Sequence, residues 1–451
     1  MRRADPDPFE VTSMLRQSVR MVLSLVTALS AVAGLVQPAG CAPEATATRP
    51  AAQPVGVTTS PTAPDWPQWR GPNRDGSTSV KLPDPWPGEL KQLWKVEVGE
   101  GHSGPAIVGD KVVAFVRQGE DEVVLCLNAA DGKEVWRDAY PAPYEPVGPA
   151  KPHGKGPFAT PTVADGKVYT CGISGILTCR GLSDGKQVWR QDFAGQFKTT
   201  YPEFGAANSP LVENGRCIVG IGGKDDGALA AFNGNTGEVA WKLTGEGPAY
   251  ASPLAAYLLG ERIVLAVTQN RVIGVTPYDG QLLGEQEFKT KYDMNCVTPV
   301  VSGNMIVLAG FERGTTAVRV EEGGDAGVPT QVWHNGEVSM HMSSPVAVGG
   351  NLYGVSQRKN GRLECLSLAE GASKWTSPDK VGQYASLIAA GDKLLVMKID
   401  GELLVVAADP AEYKELGRSR LADAPVWAHL AVAGDCLYVK DKTRLACFAL
   451  K

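Results

Sequence analysis

ATPTVADGKVYTCGISGILTCRGLSDGKQVW, residues 159–189, is the stretch on which the fold turns. A Thr-Pro step opens it at Pro161, three short apolar runs follow, and Asp184-Gly185-Lys186 leads to a closing Trp189. Short apolar runs punctuated by Asp-Gly are antiparallel strands joined by tight turns, because that pair supplies the positive φ such turns need. A unit this small cannot bury a core alone, so copies of it must stack.

The copies are present. Aligned on the Ser/Thr-Pro position they fall at Pro105, Pro161, Pro210, Pro253, Pro299 and Pro345, with Leu387 and Leu430 taking the Pro place in YASL and WAHL. Spacings run from 42 to 56 and average about 46. The Trp ending keeps the same beat in AADGKEVW (129–136), LSDGKQVW (182–189), GNTGEVAW (234–241) and LAEGASKW (368–375), with a degenerate copy at Trp333. The fourth copy, PYDGQLLG (277–284), has Gly284 for Trp, and the seventh reads Leu416 there. A period near 45 with four short strands per unit indicates a β-propeller.

The two ends complete each other. HLAVAG (429–434), CLYVK (436–440) and RLACFAL (444–450) supply three strands, and residues 92–96 with Trp94 form a lone fourth strand ahead of any first strand. That strand is expected to join the last blade and close the ring, which removes exposed sheet edges. First strands number eight. The expectation is therefore all-β: an eight-bladed propeller of four antiparallel strands per blade, or seven blades if one weak copy is not a blade.

Composition agrees. The 52 Gly and 32 Pro among 451 residues exclude a coiled coil or helical bundle, and 43% hydrophobic residues exclude disorder for most of the chain. With 44 Lys+Arg against 49 Asp+Glu and no basic stripe, no nucleic-acid partner is expected.

The N-terminus reads as an export signal: Arg16 and Arg20 precede an apolar run at 21–36. Met14 gives a more typical start than Met1. Ala39-Gly40-Cys41 resembles the end of a bacterial lipobox, with Pro38 a departure from it. Residues 1–41 are thus read as a lipoprotein-type signal with lipidation at Cys41; ordinary cleavage and an uncleaved anchor are the alternatives. Residues 42–64, rich in Pro, Ala and Thr, read as a disordered tether. Residues 65–451 hold the propeller with its leader, 65–91. The expected location is the cell envelope, in the periplasm or on the outer membrane, with membrane contact through the N-terminal anchor only.

The Gly-Lys-x-x-Trp endings resemble the tryptophan-docking motif of the PQQ-binding-like β-propeller repeat family, which includes quinoprotein alcohol dehydrogenases and BamB-like assembly lipoproteins. The stretch Trp66-Pro-Gln-Trp69-Arg70-Gly-Pro-Asn-Arg-Asp-Gly76 resembles the leader of such propellers in exported planctomycete-type proteins. The resemblance implies that Trp94, Trp136, Trp189, Trp241, Trp333 and Trp375 dock between blades. It implies a fold more strongly than an activity. Leader residues Trp66, Trp69 and Trp86 are expected to cap a propeller face or to contact a ligand.

A dehydrogenase of that family would carry an aspartate base, a calcium site, a Trp platform and usually a disulfide between adjacent cysteines. No two of the nine cysteines are adjacent here. Cys126, Cys179, Cys365 and Cys447 recur on third strands as small hydrophobes, and no Cys-x-x-Cys indicates zinc. No catalytic residue or metal ligand is assigned and no cofactor is expected; the alternative is PQQ with calcium.

The alignment does bring residues to one channel mouth. His102, Phe158, Tyr250, Tyr384 and Trp427 stand three places before the Pro position. His341 and His429 sit at first-strand starts, with Asn208, Asp293 and Asn295 close by. These ten are the ligand-pocket candidates, since concave mouths with convergent polar groups bind ligands; structural filling is the plain alternative. The Pro-rich insertion 138–157 reads as a lid, a partner contact or a surface loop. Residues 222–227 read as a hairpin. The expected function is a non-catalytic scaffold for a protein partner, the alternative an oxidoreductase using the channel mouth.

Overall fold

A computed structural model describes residues 65–321 and 329–451; Cys41, the export segment and the 42–64 tether lie outside the described residues. Eight four-stranded antiparallel sheets follow one another as blades 1–7 at 106–141, 162–191, 211–244, 254–287, 300–335, 346–380 and 385–420. Blade 8 takes three strands from 431–449 and its outermost strand, Gln92–Glu97, from the other end of the chain. There Trp94 pairs opposite Cys447. The short first strands neighbour one another around the ring, so the channel is lined by strands such as Ala106–Val108 and Ala431–Ala433.

The middle strands are sandwiched between blades on both faces. Lys111–Gln118 and Asp121–Asn128 are buried along their whole interiors. This is why the sequence shows continuous apolar runs and not polar–apolar alternation. The outer strands are mostly exposed; in Glu134–Pro141 only Trp136 and Tyr140 are buried.

Each docking Trp sits at a bulge of its outer strand and reaches the next blade. Trp94 donates its indole N–H to Ala129 O at 2.8 Å, Trp136 to Leu182 O at 2.8 Å, and Trp189 to Gly234 O at 3.1 Å. Trp241, Trp333 and Trp375 donate to Pro277 O, Leu368 O and Asp409 O in the same way. Beneath the first five rings lie Gly132, Gly185, Gly237, Gly280 and Gly371, at φ between 69° and 73°. A Cβ at Gly185 would stand 2.5 Å from Trp136. Glycine is required there twice over, by the turn and by the indole resting on it.

The residue before the Pro position has its own role. Gly104 N–H donates to Thr160 Oγ1, Thr160 N–H to Ser209 Oγ, and Ser209 N–H to Ser252 Oγ. Thr298 N–H likewise reaches Ser344 Oγ, and in the WAHL copy the N–H of Leu430, in the Pro place itself, reaches Ser386 Oγ. The Ser/Thr of the repeat thus links neighbouring blades close to the channel.

One sequence assignment is corrected. In blade 7 the residue in the Trp register is Gly417, paired with Val405 across the bulge, and not Leu416. Leader residue Trp86 lies over Gly417 and donates its N–H to Ser419 Oγ at 2.9 Å. Blade 4 has the corresponding pair Gly274–Gly284.

We expect Trp189→Ala to lower unfolding free energy by about 3–5 kcal/mol in chemical denaturation. Trp375 is only half-buried and rests beside Tyr413 with no docking glycine, so Trp375→Ala should cost clearly less.

Candidate functional site

The leader builds the floor of the site by filling the channel. Trp66 exchanges two backbone hydrogen bonds with Ile107 of blade 1, and Pro67 O accepts Val163 N–H of blade 2. Trp69 donates its indole N–H to Thr298 Oγ1 of blade 5 at 3.1 Å. Ser77–Thr78 lies parallel to Ala389–Ala390 as an extra inner strand on blade 7.

Two arginines anchor this segment. Arg70, 1% exposed, donates to Ser344 O at 2.8 Å and Pro345 O at 2.6 Å in blade 6, and to Asp75 O at 2.7 Å. Arg74, 2% exposed, donates to Pro210 O at 2.8 Å and Ser209 O at 2.9 Å in blade 3. Both have positive φ, at 58° and 57°. Burial pulls their pKa values down, to about 10 and about 9, so both stay charged at neutral pH. Neither forms a salt bridge among the described residues; main-chain carbonyls hold the charge, joined at Arg74 by Gln68 Oε1 at 3.1 Å. A guanidinium suits this task, because its planar fork presents several donors in fixed directions.

Above this floor lies the mouth. Its cavity of about 180 Å³ is lined by all eight residues at the position three before the Pro place: His102, Phe158, Ala207, Tyr250, Cys296, Met342, Tyr384 and Trp427. Five were legible as aromatic or polar. Ala207, Cys296 and Met342 share the same register and complete the circle. Four rings stack in series. Phe158 and His102 lie 4.8 Å apart, His102 and Trp427 5.5 Å, and Trp427 and Tyr384 5.3 Å, all within 27° of parallel. His153 sets its edge against Trp427, and Phe204 continues the arc to Tyr250. His153 comes from the Pro-rich insertion, which forms a 3-10 turn at Gly148–His153. The repeat assigns no register to His153, Phe204 or Trp69, because each arrives from outside it.

The other five candidates lie elsewhere. Asn208 Oδ1 accepts Gly220 N–H inside blade 3. Buried Asn295 donates to Thr268 O, Gln269 O and Phe288 O. Asp293 pairs with Lys224 at 3.1 Å. His341 packs on Phe311. His429 is buried against the leader, its ring 5.1 Å from Trp69 and 6.2 Å from Trp66.

The lining carries no Asp, Glu, Lys or Arg. Among the described residues no cluster of His, Cys, Asp or Glu is arranged to hold a metal ion. Burial pulls the pKa values of His102 and His429 down to about 3, with His153 and Lys440 adding to the effect at His102 and Arg70 at His429. The mouth therefore presents flat, neutral rings at physiological pH. It can stack on a planar or aromatic group, and it offers no base of ordinary strength.

Two predictions follow from this site. Arg70→Lys keeps the charge but cannot span three carbonyls, and should cost at least about 2 kcal/mol in chemical denaturation. His102 and His429 stay neutral when folded, whereas an unfolded His takes up a proton near 6.5. Stability should thus rise with pH between about 3 and 6.5 and be lost on acidification through that window. Glu364, raised to about 7 by burial, and Glu122, also raised by burial, oppose this above about 4.5, while His153 and His341, both lowered by burial, add to it. Calorimetry between pH 4 and pH 7 should show a shallower acid limb for His102→Phe, which keeps the stack without the titration.

Comparison with known proteins matches this architecture. The model of the family described as outer membrane protein assembly factor BamB matches residues 87–150 and 146–377. The BamB of Shewanella oneidensis is 26% identical over 297 residues, 61% of this chain and 71% of that protein. The quinohemoprotein alcohol dehydrogenase ADH-IIG of Pseudomonas putida is 29% identical over 167 residues, 35% of this chain and only 21% of that enzyme. The crystal structure of BamB from Moraxella catarrhalis superposes with a TM-score of 0.60 at 16% identity, covering 80% of this chain and 99% of its own. With more than half of its length matched by the family model, the chain belongs to the BamB family of PQQ-like repeat propellers.

Proposed function

We propose that this protein is a non-catalytic scaffold of the cell envelope that binds a partner polypeptide at its aromatic mouth. The observation that carries the reading is the mouth itself: a closed-bottomed ring of aromatic and small side chains without one ionised group. Such a surface takes an apolar or aromatic segment of another chain, with Trp427 and Phe158 as anchors. Family membership supports an assembly role, since the family model and the Shewanella oneidensis relative are both described as outer membrane protein assembly factors. Export and an N-terminal lipid anchor belong to the same proposal.

The quinoprotein reading draws on the shared repeat with an alcohol dehydrogenase. PQQ carries several carboxylates and works with calcium. The mouth lining offers no basic side chain for the first and no carboxylate for the second; charged groups stand in the adjoining hollow, where Lys151, Lys155 and Lys442 accompany Glu100 and Asp441. The residues present do not fit that group, and we propose no cofactor.

Two measurements test this. Envelope extracts from cells making the tagged wild type should yield a stoichiometric partner that Phe158→Ala/Trp427→Ala loses by at least tenfold. An unchanged yield would overturn the mouth as the binding site. Purified protein mixed with PQQ and calcium should show no absorbance change and no thermal shift; stoichiometric binding with dye reduction on an alcohol would overturn the non-catalytic reading.

A further inference from the structure

Two of the eight blade joints have glycine where the docking Trp belongs. In blade 7, Gly417 opposes Val405, and the chain repairs the joint itself. Trp86 of the leader is buried over Gly417, bonds to Ser419 Oγ two residues on, and joins the core shared by blades 7 and 8. In blade 4, Gly284 opposes Gly274 in the same register, and among the described residues no ring covers it. A Cβ at Gly274 would meet no atom closer than 3.7 Å, which shows how open the place is.

The result is an apolar groove of about 230 Å³ between blades 4 and 5. Ile263, Leu265, Ile306, Leu308 and Val318 form its walls. Gln286, two residues after Gly284, stands where Ser419 stands relative to Gly417 and can accept an indole N–H. The charged residues of the lining are Glu261, Glu285 and Glu321, with no Lys or Arg among them; Glu285 is paired with Arg271 from outside the groove.

We propose that this groove is a second docking site, which takes a tryptophan side chain from a partner polypeptide whose flanking residues are basic. The occupant's chemistry is given by the ring itself, because six joints hold the chain's own docking indoles and a seventh holds Trp86. The donor must be another chain. All ten tryptophans of the sequence lie at 66–427, and each is already placed in the leader, in a joint or at the mouth. The acidic lining selects the basic flanks. A tryptophan seated in a desolvated pocket is also the commonest kind of interface anchor. This site extends the partner-binding reading but lies apart from the mouth.

The test uses the peptides acetyl-Lys-Trp-Lys-amide and acetyl-Lys-Leu-Lys-amide, followed by NMR and calorimetry on the purified protein. On the Trp427→Ala protein, whose mouth has lost an anchor, the Trp peptide should bind one to one and at least tenfold more tightly than the Leu peptide, and should weaken as salt rises. Gly284→Trp in that background should fill the groove, raise Tm and abolish binding. Trp427→Ala should leave this binding intact while it weakens binding at the mouth, so failure of either site is read separately. Equal affinity for the two peptides, undiminished binding to Gly284→Trp, or no binding to the wild type at millimolar peptide would each overturn the proposal.

Discussion

Two buried guanidinium groups on one short segment tie this ring together. Arg70 and Arg74 reach across the channel to blades 6 and 3, and the residues between and around them touch blades 1, 2, 5, 7 and 8. A buried cation is costly unless its donors are matched. Here the matching acceptors are the carbonyls of Ser209, Pro210, Ser344 and Pro345, which stand just ahead of the ladder pairing that begins at Leu211 and Val346. The Ser/Thr-Pro step that defines the repeat thus prepares acceptors for the leader, and the leader converts an open channel into a cup. The mouth exists as a pocket because of that floor.

Much of the fold was legible. Periodic Pro positions, Asp-Gly turns and the split last blade indicate a closed eight-bladed ring, and the Trp endings indicate how blades dock. These features are local and repeated, so eight imperfect copies reinforce one another. The register of the mouth was legible for the same reason, although Ala207, Cys296 and Met342 carry no chemical flag to draw notice. What the repeat could not convey came from unique segments. The leader's path, the arrival of His153 from the insertion and the placement of Trp86 over Gly417 depend on contacts between residues tens to hundreds of positions apart. Asn208, Asn295 and His429 were misplaced toward the mouth because sequence distance from the Pro position does not say which way a side chain turns. Each is spent on buried main-chain groups or on the leader.

The joints show that blade docking tolerates exchange of its parts. An indole may be covalently part of the outer strand, as at Trp136, or supplied from elsewhere in the chain, as at Trp86. In six of the seven filled joints the ring lies over a glycine, and in all seven its N–H has an acceptor. The rim of the propeller can therefore vary in sequence while the ring geometry holds.

The strand that closes the ring sets an order of events during synthesis. Gln92–Glu97 finds its partner only in Arg444–Ala449, so roughly 350 residues must be made before the pair can form. At about 5–20 residues per second this takes roughly 20–70 s. Throughout that interval the last blade lacks its strands, and the edge of residues 92–97 has no partner. An unpaired edge is where strands of other chains can add. The seam of this propeller is thus its point of greatest exposure to misassembly before completion, and the place where a chaperone that shields edge strands has most to protect.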